Sequence, residues 1–400
     1  MAKSVQLVEK KIEWADLPNY TQVTLDEAIA LQQIPAPTFD EAARMRHVAE
    51  KFAALGLHNI ETDDLYNVYG VLPGEDRHAP GLMLVAHTDT VFPAETDLSI
   101  RHEQMPTGTA SAHTGSRTQT VIYGPGLGDN SIGVASLFTL AHILREQKIT
   151  PPCDLYFTAT SREEGLGDLG GMRAAFARLK DRVKAVINVE GLAFGHIYHA
   201  GIAVRRLKIT ASAEGGHSWL HFGRPSAVHG VLNLGARIAT ITPPANPRTT
   251  YNIGLIEGGR SINTIATEAS LWLDMRSERR SALEALEQQV QGHIRAVQHN
   301  DLRFSVEVVG DRPSGELAPE HPLVLMALAA LNKLGVRGSL ETGSTDGNIS
   351  LAAGVPTVTI GITRGGNAHR TDEYIELEPI KQGLQQLGLL ALTAAAYRFE

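Results

Sequence analysis

The sequence has only one cysteine, Cys153, among its 400 residues. A single thiol cannot form an internal disulfide, and it cannot supply the paired thiolates of a cysteine-based zinc site. A lone catalytic thiol is the one cysteine chemistry left open. Cys153 opens an apolar run, which favours packing in the interior over catalysis.

Long apolar segments and long runs of one charge are also missing. No stretch of about 18 uncharged apolar residues occurs, and the amino terminus MAKSVQLVEKKIEWADL lacks the apolar core of a secretory signal. The net charge of −8, from 36 basic and 44 acidic residues, is spread along the chain and argues against a nucleic-acid or anionic-membrane surface. We therefore expect a soluble, cytoplasmic protein.

The sequence does contain the alternating pattern of an α/β protein. With 43% apolar residues the chain can bury a sizeable core, and its length suits two domains or three. Short apolar runs alternate with segments of helical period, which indicates a largely parallel sheet buried on both faces. The predicted strands are Leu82–Ala86, Leu155–Thr160, Ala185–Val189 and Pro356–Gly361. The predicted helices are Leu25–Gln33, Asp40–Leu55, Ser131–Gln147, Met172–Lys180 and Pro379–Arg398.

The pattern changes between residues 195 and 311. A strand, a helix, two strands, a second helix and a closing strand give the order β-α-β-β-α-β of a ferredoxin-like unit. We therefore expect a first domain at residues 1–194 and 312–400, interrupted by an inserted domain at 195–311. The polar segment Arg101–Thr120 is predicted to be a surface loop.

The stretch YFTATSREEGLGDLGGM, residues 156–172, has two incompatible interpretations. From Gly165 onwards it contains the G-x-G-x-x-G pattern of a dinucleotide-binding loop, with Glu190 twenty positions after its last glycine. The adjacent carboxylates Glu163 and Glu164 have no use in a loop that holds phosphates. In the dinucleotide fingerprint the first glycine closely follows the strand, whereas four polar or charged residues intervene here. This favours a carboxylate pair for a metal and a water.

Side chains that can bind a metal cluster at the predicted strand ends. Open α/β sheets bind ligands beyond the carboxyl ends of their strands. Five of the six candidates lie at or beyond such ends, and the sixth, Asp129, lies where the helix from Ser131 would have its amino-terminal cap. Each residue taken alone has an ordinary explanation, such as a helix cap or a solvated surface residue. These ordinary explanations do not account for the shared location of all six residues. The six are His87, Asp129, Glu163, Glu164, Glu190 and His369.

Imidazole and carboxylate ligands without a thiolate suit Zn²⁺, Mn²⁺ or Co²⁺. Even five such ligands exceed the needs of one tetrahedral ion with an open position, so two ions that share a carboxylate fit better. Asp89, two residues after His87, would project the same way on an extended segment. Its carboxylate could then accept the second ring proton of His87.

Five motifs carry a resemblance to a known family. HTDTV, YGPGLGDN, SREEGLG, NVEG and NAH occur in this order between His87 and His369. The sequence resembles the dinuclear zinc metallopeptidases of family twenty, which include glutamate carboxypeptidase, peptidase T, succinyl-diaminopimelate desuccinylase, acetylornithine deacetylase and aminoacylase. The resemblance implies a catalytic domain of the zinc-exopeptidase type, with the insert as a ferredoxin-like lid or dimerisation domain.

The resemblance also assigns the ligands to two divalent ions, most simply zinc. His87 and Glu190 would bind one ion, Glu164 and His369 would bind the other, and Asp129 would bridge them. A water between two cations loses a proton far more readily than bulk water does.

Further residues are implied to act on the water and the substrate. Glu163 would be the general base, a role that typically contributes about 10²–10⁴-fold, and Asp89 would support the site. In GGHSW, His217 would reach the active site of a partner subunit and stabilise the oxyanion, so a homodimer through the insert is expected.

The substrate would be held by three more residues. Asn263 and Arg276 would bind its carboxylate, for which the guanidinium fork is well shaped. An ordinary surface ion pair is the alternative for Arg276. Ser344, in GSTDGN, would line the substrate pocket.

The substrate itself is less determined by the sequence. Within the family, a glutamate at the position of Glu190 is typical of carboxypeptidases and N-acyl-amino-acid hydrolases. The resemblance thus implies hydrolysis of a peptide or N-acyl amide bond beside a free carboxylate. GGHSW and YGPGLGDN are also similar to peptidase T, which makes an aminopeptidase acting on tripeptides the alternative. A metal-free binding protein on the same fold is a more remote alternative, since neither a ligand nor the base is missing.

Overall fold

The computed structural model describes residues 1–107 and 117–399. The chain divides into two compact units, one comprising Met1–Ala200 with Gly315–Glu400 and the other Gly201–Ser314. None of the helices in the described ranges combines the length and the apolar character that a membrane span requires.

The first part of the chain contains five helices and eight strands within the described residues. The helices are α1 (Ala2–Glu9), α2 (Leu17–Gln32), α3 (Ala42–Ala54), α4 (Ile132–Glu146) and α5 (Gly170–Leu179). The strands are β1 (His58–Thr62), β2 (Val68–Leu72), β3 (Gly81–His87), β4 (Arg101–Thr107), β5 (Arg117–Tyr123), β6 (Leu155–Thr160), β7 (Val183–Val189) and β8 (His196–Gly201).

The second unit follows, and the first unit then resumes. The elements of the second unit are β9 (Ala203–Ala213), β10 (Gly216–His217), α6 (Ala227–Ile238), β11 (Thr249–Gly258), β12 (Thr264–Ile265), β13 (Glu268–Ser277), α7 (Arg280–Val297) and β14 (Leu302–Arg312). The first unit ends with β15 (Gly315–Glu316), α8 (Pro322–Lys333), β16 (Ser339–Gly343), α9 (Gly347–Ala352), β17 (Thr357–Ile360), β18 (Gly365–Gly366), β19 (Tyr374–Glu376) and α10 (Ile380–Ala396).

A nine-stranded sheet forms the centre of the first unit, in the order β1-β2-β6-β3-β7-β17-β8-β15, with β16 paired to β8. The central strands β6, β3, β7 and β17 are parallel, whereas β2 and β8 pair antiparallel with their inner neighbours. Leu82, Leu84 and Ala86 of β3 pack into one core, and Met83 and Val85 pack into another. Burial on both faces explains the continuous apolar run of this strand. The predicted mostly parallel α/β fold is confirmed.

The second unit is built on a four-stranded antiparallel sheet in the order β11-β13-β9-β14. Its chain order, β9-α6-β11-β13-α7-β14, is the β-α-β-β-α-β order of a ferredoxin-like unit. Leu207 and Leu271 of the sheet share a core with Val231 of α6 and Val290 of α7. Both helices therefore use their apolar faces to cover the sheet.

The second unit starts later than residue 195. His196–Gly201 forms β8, which lies between β17 and β15 in the main sheet and pairs antiparallel with β17. The pairing of β8 with a strand far along the chain assigns it to the main sheet, and a local sequence pattern does not reveal such a pairing. The compact unit therefore runs from Gly201 to Ser314.

The polar segment Arg101–Thr120 is largely strand, so its prediction as a surface loop is wrong for the described residues. Its two ends form β4 and β5, which pair antiparallel from Arg101 opposite Tyr123 onwards. Residues 108–116 of the predicted loop lie outside the described residues. Strand β5 also pairs with β19, and Ile122 is fully buried. Pairing on both sides stabilises this strand in spite of its polar composition.

The helices at the amino terminus extend beyond their predictions. Helix α2 begins at Leu17, with a proline in its first turn, and not at Leu25. Helix α1 has no counterpart among the predictions. Only Val5 and Val8 of α1 are buried, so its periodic apolar signal is weak.

Candidate metal centre

The carboxyl ends of the central strands bring most of the predicted ligands to one edge of the sheet. His87 is the last residue of β3 and pairs with Thr160, the last residue of β6. Glu163 and Glu164 lie in the short link after β6, and Glu190 directly follows β7. Because these parallel strands end at the same edge, side chains distant in sequence become neighbours.

Asp129 lies between two histidines. Its Oδ1 is 3.0 Å from Nε2 of His87, and its Oδ2 is 3.1 Å from Nε2 of His369. Oε2 of Glu190 is 3.5 Å from the same His87 nitrogen. Oε1 of Glu164 is 3.2 Å from the same His369 nitrogen. Each carboxylate oxygen of Asp129 thus faces a separate pair of one histidine and one glutamate.

Asp129 reaches this position from a distorted turn, and the ordinary alternative for it, a helix cap, is not what the structure shows. It lies in a π-helical turn, Leu127–Ser131, with non-helical dihedrals of φ −117° and ψ 89°. Helix α4 has Ser131 at its cap position and no side-chain cap hydrogen bond. The carboxylate cannot cap the helix because it is turned towards the histidines.

Asp89 is fully buried and orders the link that carries the paired glutamates. Its Oδ1 accepts the backbone N–H of Glu163 at 2.9 Å, and its Oδ2 accepts that of Glu164 at 3.0 Å. Nδ1 of His87 is 3.1 Å from the carbonyl oxygen of Asp89 and 3.6 Å from its carboxylate. The carbonyl oxygen is therefore the nearer acceptor for the ring, and the carboxylate that was predicted to accept the ring proton lies further from it.

Arg44 of α3 fixes the segment that follows β3. Its guanidinium is 1% exposed and donates to the carbonyl oxygens of Ile34 and Thr88, each at 2.7 Å. Thr88 lies between His87 and Asp89 in the chain. A buried arginine with this role has no local sequence signature, and it was not among the predicted residues.

The glycines after the paired glutamates allow α5 to start close to the link. A Cβ at Gly171 would lie 2.1 Å from the carbonyl oxygen of Ser161, and one at Gly167 would lie 2.6 Å from that of Arg162. Gly165 has a φ of +50°. The glycine pattern therefore serves a tight turn that carries two adjacent carboxylates.

Two buried carboxyl groups beside the centre were not predicted, although both lie in motifs that the sequence offers. Thr160 donates to Oδ2 of Asp346 at 2.6 Å, and burial raises the pKa of Asp346 to about 7. Asp346 follows the predicted Ser344 by two residues, in the half-buried link before α9. Burial and the nearby charge of Asp129 raise the pKa of Glu373 to about 8.

The acidic surroundings favour the protonated forms of both histidines. Burial opposes protonation of His87, but the charge of Glu190 and a hydrogen bond to Asp129 outweigh it, and the pKa of His87 lies well above its usual value. Hydrogen bonds to Asp129 and Glu164 raise the pKa of His369 to about 10. A divalent cation would have to displace these protons, so binding of a metal should release protons.

The residues present fit a pair of divalent ions. One ligand atom each from His87, Asp129 and Glu164 lies within 4.8 Å of the other two. Imidazole and carboxylate donors are those that Zn²⁺ accepts in catalytic sites. The direction of the two Asp129 oxygens towards different histidines is the arrangement that a bridging carboxylate needs.

Two of the predicted residues in the second unit lie together. His217 is in β10 and pairs with Thr264 of β12, and the N–H of Ser218 donates to the carbonyl oxygen of Asn263 at 3.0 Å. Nδ1 of His217 accepts the N–H of Trp219 at 3.2 Å. The backbone thus holds the His217 loop against the Asn263 turn.

Arg276 forms an ion pair within its own strand. Its Nε donates to Oδ1 of Asp274 at 2.7 Å, and Arg206 donates to Oδ2 of the same carboxylate at 3.0 Å. The alternative that the sequence left open for Arg276, an ordinary strand ion pair, is therefore present. A role in binding a substrate carboxylate stays a prediction, and it would require the substrate to compete with Asp274.

A family model described as peptidase family M20/M25/M40 matches residues 83–393, which is more than half of the chain. The chain belongs to this family. It is a metallopeptidase or amidohydrolase, a hydrolase that acts on amide or peptide C–N bonds. His87, Glu163, Glu164 and Glu190 lie at or just beyond the ends of β3, β6 and β7 of the nine-stranded sheet, whereas Asp129 projects from the turn Leu127–Ser131.

Two curated relatives are similar over most of their length. N-formyl-4-amino-5-aminomethyl-2-methylpyrimidine deformylase of Bacillus subtilis is 24% identical, with 95% of each chain covered. Acetylornithine deacetylase of Edwardsiella ictaluri is 26% identical, with 80% of this chain and 83% of the relative covered.

Solved structures share the fold. Aminopeptidase PepT from Bacillus cereus has a TM-score of 0.70 at 22% identity, covering 96% of this chain and 100% of that one. The YXEP protein of Bacillus subtilis, a dinuclear metal-binding peptidase of this family, has a TM-score of 0.63 at 15% identity, covering 94% and 99%.

Proposed function

We propose that this M20 hydrolase uses two divalent ions and a glutamate base to cleave a peptide or N-acyl amide bond in a small substrate with a free carboxylate. The observation that carries the proposal is the position of Asp129, with one oxygen 3.0 Å from His87 and the other 3.1 Å from His369. Zn²⁺ is the ion that this donor set suits best, and Mn²⁺ or Co²⁺ would also be accepted.

Each ion would have its own ligands beside the shared carboxylate. Glu190 would complete the set around His87, and Glu164 would complete the set around His369. Two cations held there would lower the pKa of a shared water molecule and polarise the carbonyl of the scissile amide.

Glu163 is the proposed general base. It is 6% exposed, and its backbone is held by Asp89 beside a glutamate that faces His369. Its carboxylate would take a proton from the attacking water and return it to the leaving nitrogen.

A panel of substrates tests this function. We expect chelation to abolish hydrolysis, and Zn²⁺, Mn²⁺ or Co²⁺ to restore it, because in this proposal the ions lower the pKa of the attacking water and polarise the scissile carbonyl. N-acyl amino acids and dipeptides should be cleaved much faster than the same compounds with an amidated carboxyl terminus.

The panel separates the alternatives as well. Cleavage confined to the amino-terminal bond of tripeptides would favour a peptidase-T-like aminopeptidase. A purified protein that takes up no divalent ion and cleaves none of the compounds would contradict the proposal and favour a binding protein.

We further propose that the enzyme works as a homodimer through the second unit. Near His217, Trp219 is 84% exposed, Leu220 is 73% exposed and Phe222 is 92% exposed. Three strongly exposed large apolar side chains within four residues of the chain are typical of an interaction surface. The edge strands of the sheet, β11 and β14, also carry exposed Leu255 and Val308 and could pair with a second copy.

Mixed dimers test whether His217 serves the partner's active site. His217→Ala and Glu163→Ala should each be nearly inactive alone. If the residues act across the dimer, random exchange of subunits should restore about a quarter of the wild-type activity, since half of the dimers have one intact site. The activity of the mixture is measured after subunit exchange is verified by mass. Proven exchange without recovery would contradict a shared site.

A further inference from the structure

Glu373 joins the two segments that carry Asp129 and His369. It follows His369 by four residues and directly precedes β19. Its side chain is fully buried, and its Oε1 accepts the backbone N–H of Gly128 at 2.7 Å and that of Asp129 at 3.0 Å. A single carboxylate oxygen therefore holds the turn from which Asp129 projects.

Further contacts hold Glu373 close to the segment that contains Gly128. The carbonyl oxygen of Glu373 accepts the N–H of Gly124, between β5 and this turn, at 2.9 Å. A Cβ at Gly128 would lie 3.1 Å from Oε1 of Glu373 and 2.5 Å from Leu192. A side chain at position 128 would clash with Leu192 and crowd Oε1 of Glu373, so glycine favours this close approach of the carboxyl group to the turn.

The second oxygen of Glu373 indicates that this carboxyl group is not optimised for stability. Among the described residues, Oε2 is buried without a hydrogen-bond partner. A buried carboxyl group with one unsatisfied oxygen is costly. An apolar side chain of similar size would avoid that cost but would leave the backbone N–H groups of Gly128 and Asp129 without this acceptor. The gain from Glu373 is therefore positional: it orients two amides, one of which belongs to Asp129.

We propose that Glu373 is a positioning residue that sets the orientation of Asp129, so that each Asp129 oxygen faces its own histidine. The proposal rests on the proposed function, in which Asp129 bridges two ions. Glu373 lies four residues after His369, so one segment supplies both a proposed metal ligand and the contact that holds the Asp129 turn. Residues that orient metal ligands from outside the coordination sphere typically contribute about 10–100-fold to metal affinity.

Two conservative variants separate the reach of the side chain from its chemical group. Glu373→Asp keeps the carboxyl group but is one methylene too short to reach both amides. Glu373→Gln replaces the carboxyl group by an amide but keeps an acceptor oxygen at the same reach. If Glu373 acts by position, Glu373→Asp should bind Zn²⁺ about 10–100-fold more weakly, and Glu373→Gln should stay within about threefold of the wild type.

Asp154 provides a matched control. It is also a buried carboxylate that accepts a backbone N–H, from Gly74 at 2.9 Å, but it lies just before β6 at the opposite edge of the sheet. Asp154→Ala should lower the unfolding temperature of the metal-free protein without changing its affinity for Zn²⁺. If the role of Glu373 were purely structural, Glu373→Asp would also lower the unfolding temperature without changing the affinity for Zn²⁺.

The measurement is competition for Zn²⁺ between the protein and a chromophoric chelator, with the absorption spectrum of the Co²⁺-loaded protein as a second readout. Weak binding and an altered Co²⁺ spectrum in Glu373→Asp alone would support the proposal. Equal affinities in Glu373→Asp and Asp154→Ala would overturn it, as would a Glu373→Gln variant as weak as Glu373→Asp. A wild type that binds no ion would overturn the proposed function as well, whereas the two former results leave that function intact.

Discussion

Glu163→Ala should bind two divalent ions as tightly as the wild type and lose nearly all turnover, by about 10²–10⁴-fold. The proposed ligands are the neighbouring Glu164 and four other residues, so the metal centre should survive the loss of Glu163. The proton of the attacking water then has no nearby acceptor, and the leaving nitrogen has no donor. The measurements are kcat on the best substrate of the panel and metal content after exhaustive dialysis.

The adjacent Glu164→Ala variant is the control for this result. Oε1 of Glu164 is 3.2 Å from His369, so its loss should remove an ion as well as activity. The two substitutions are equal in size, are one residue apart and lie in the same link. If Glu163→Ala kept turnover within a few-fold of the wild type, Glu163 would not be the general base. If Glu163→Ala lost an ion, Glu163 would be a metal ligand.

The sequence is sufficient to predict the proposed metal ligands that lie at the ends of parallel strands. His87, Glu164 and Glu190 each follow a short apolar run, and the ends of parallel strands meet at one edge. Their proximity therefore follows from strand order alone. Strand ends can be located to within a residue or two, because a continuous apolar run stops where burial on both faces stops.

The parts that long-range contacts decide could not be predicted. Asp129 precedes a helix, and in sequence it has the signature of an ordinary cap. Its actual orientation depends on Glu373, which is 244 positions away in the chain. The carboxylate of Asp89 was expected to bind the ring of His87, yet two amides of the link after β6 engage it. No local pattern encodes either of these contacts.

The ion pair of Arg276 illustrates the same limit for the substrate site. On a strand, residues two apart project from the same face, so Asp274 is a neighbour of Arg276 by periodicity alone. The sequence therefore contains both the resemblance to a carboxylate-binding arginine and its competing partner. Periodicity shows that the two side chains can meet but gives no measure of whether a substrate displaces Asp274.

The second large effect is expected for Asp129→Asn, which should bind at most one ion and lose at least about 100-fold in turnover. An asparagine has one acceptor oxygen, and its amide group would face a cation or a histidine in place of the second oxygen. Residues that only orient ligands already cost about 10–100-fold when lost, so a shared ligand should exceed that range. Metal content and kcat are measured together.

The metal-free form of Asp129→Asn provides an independent check. Asp129 is the first cause of the elevated pKa of His369, about 10, so the substitution should lower that pKa towards its usual value near 6.5. The charged imidazolium would then be lost at a lower pH, which NMR titration of the histidine measures. Glu190→Gln is the control, because Glu190 lies near His87 and should remove one ion without the same effect on His369. Two ions bound as tightly in Asp129→Asn as in the wild type would exclude a bridging role, because an uncharged side chain cannot hold two cations together.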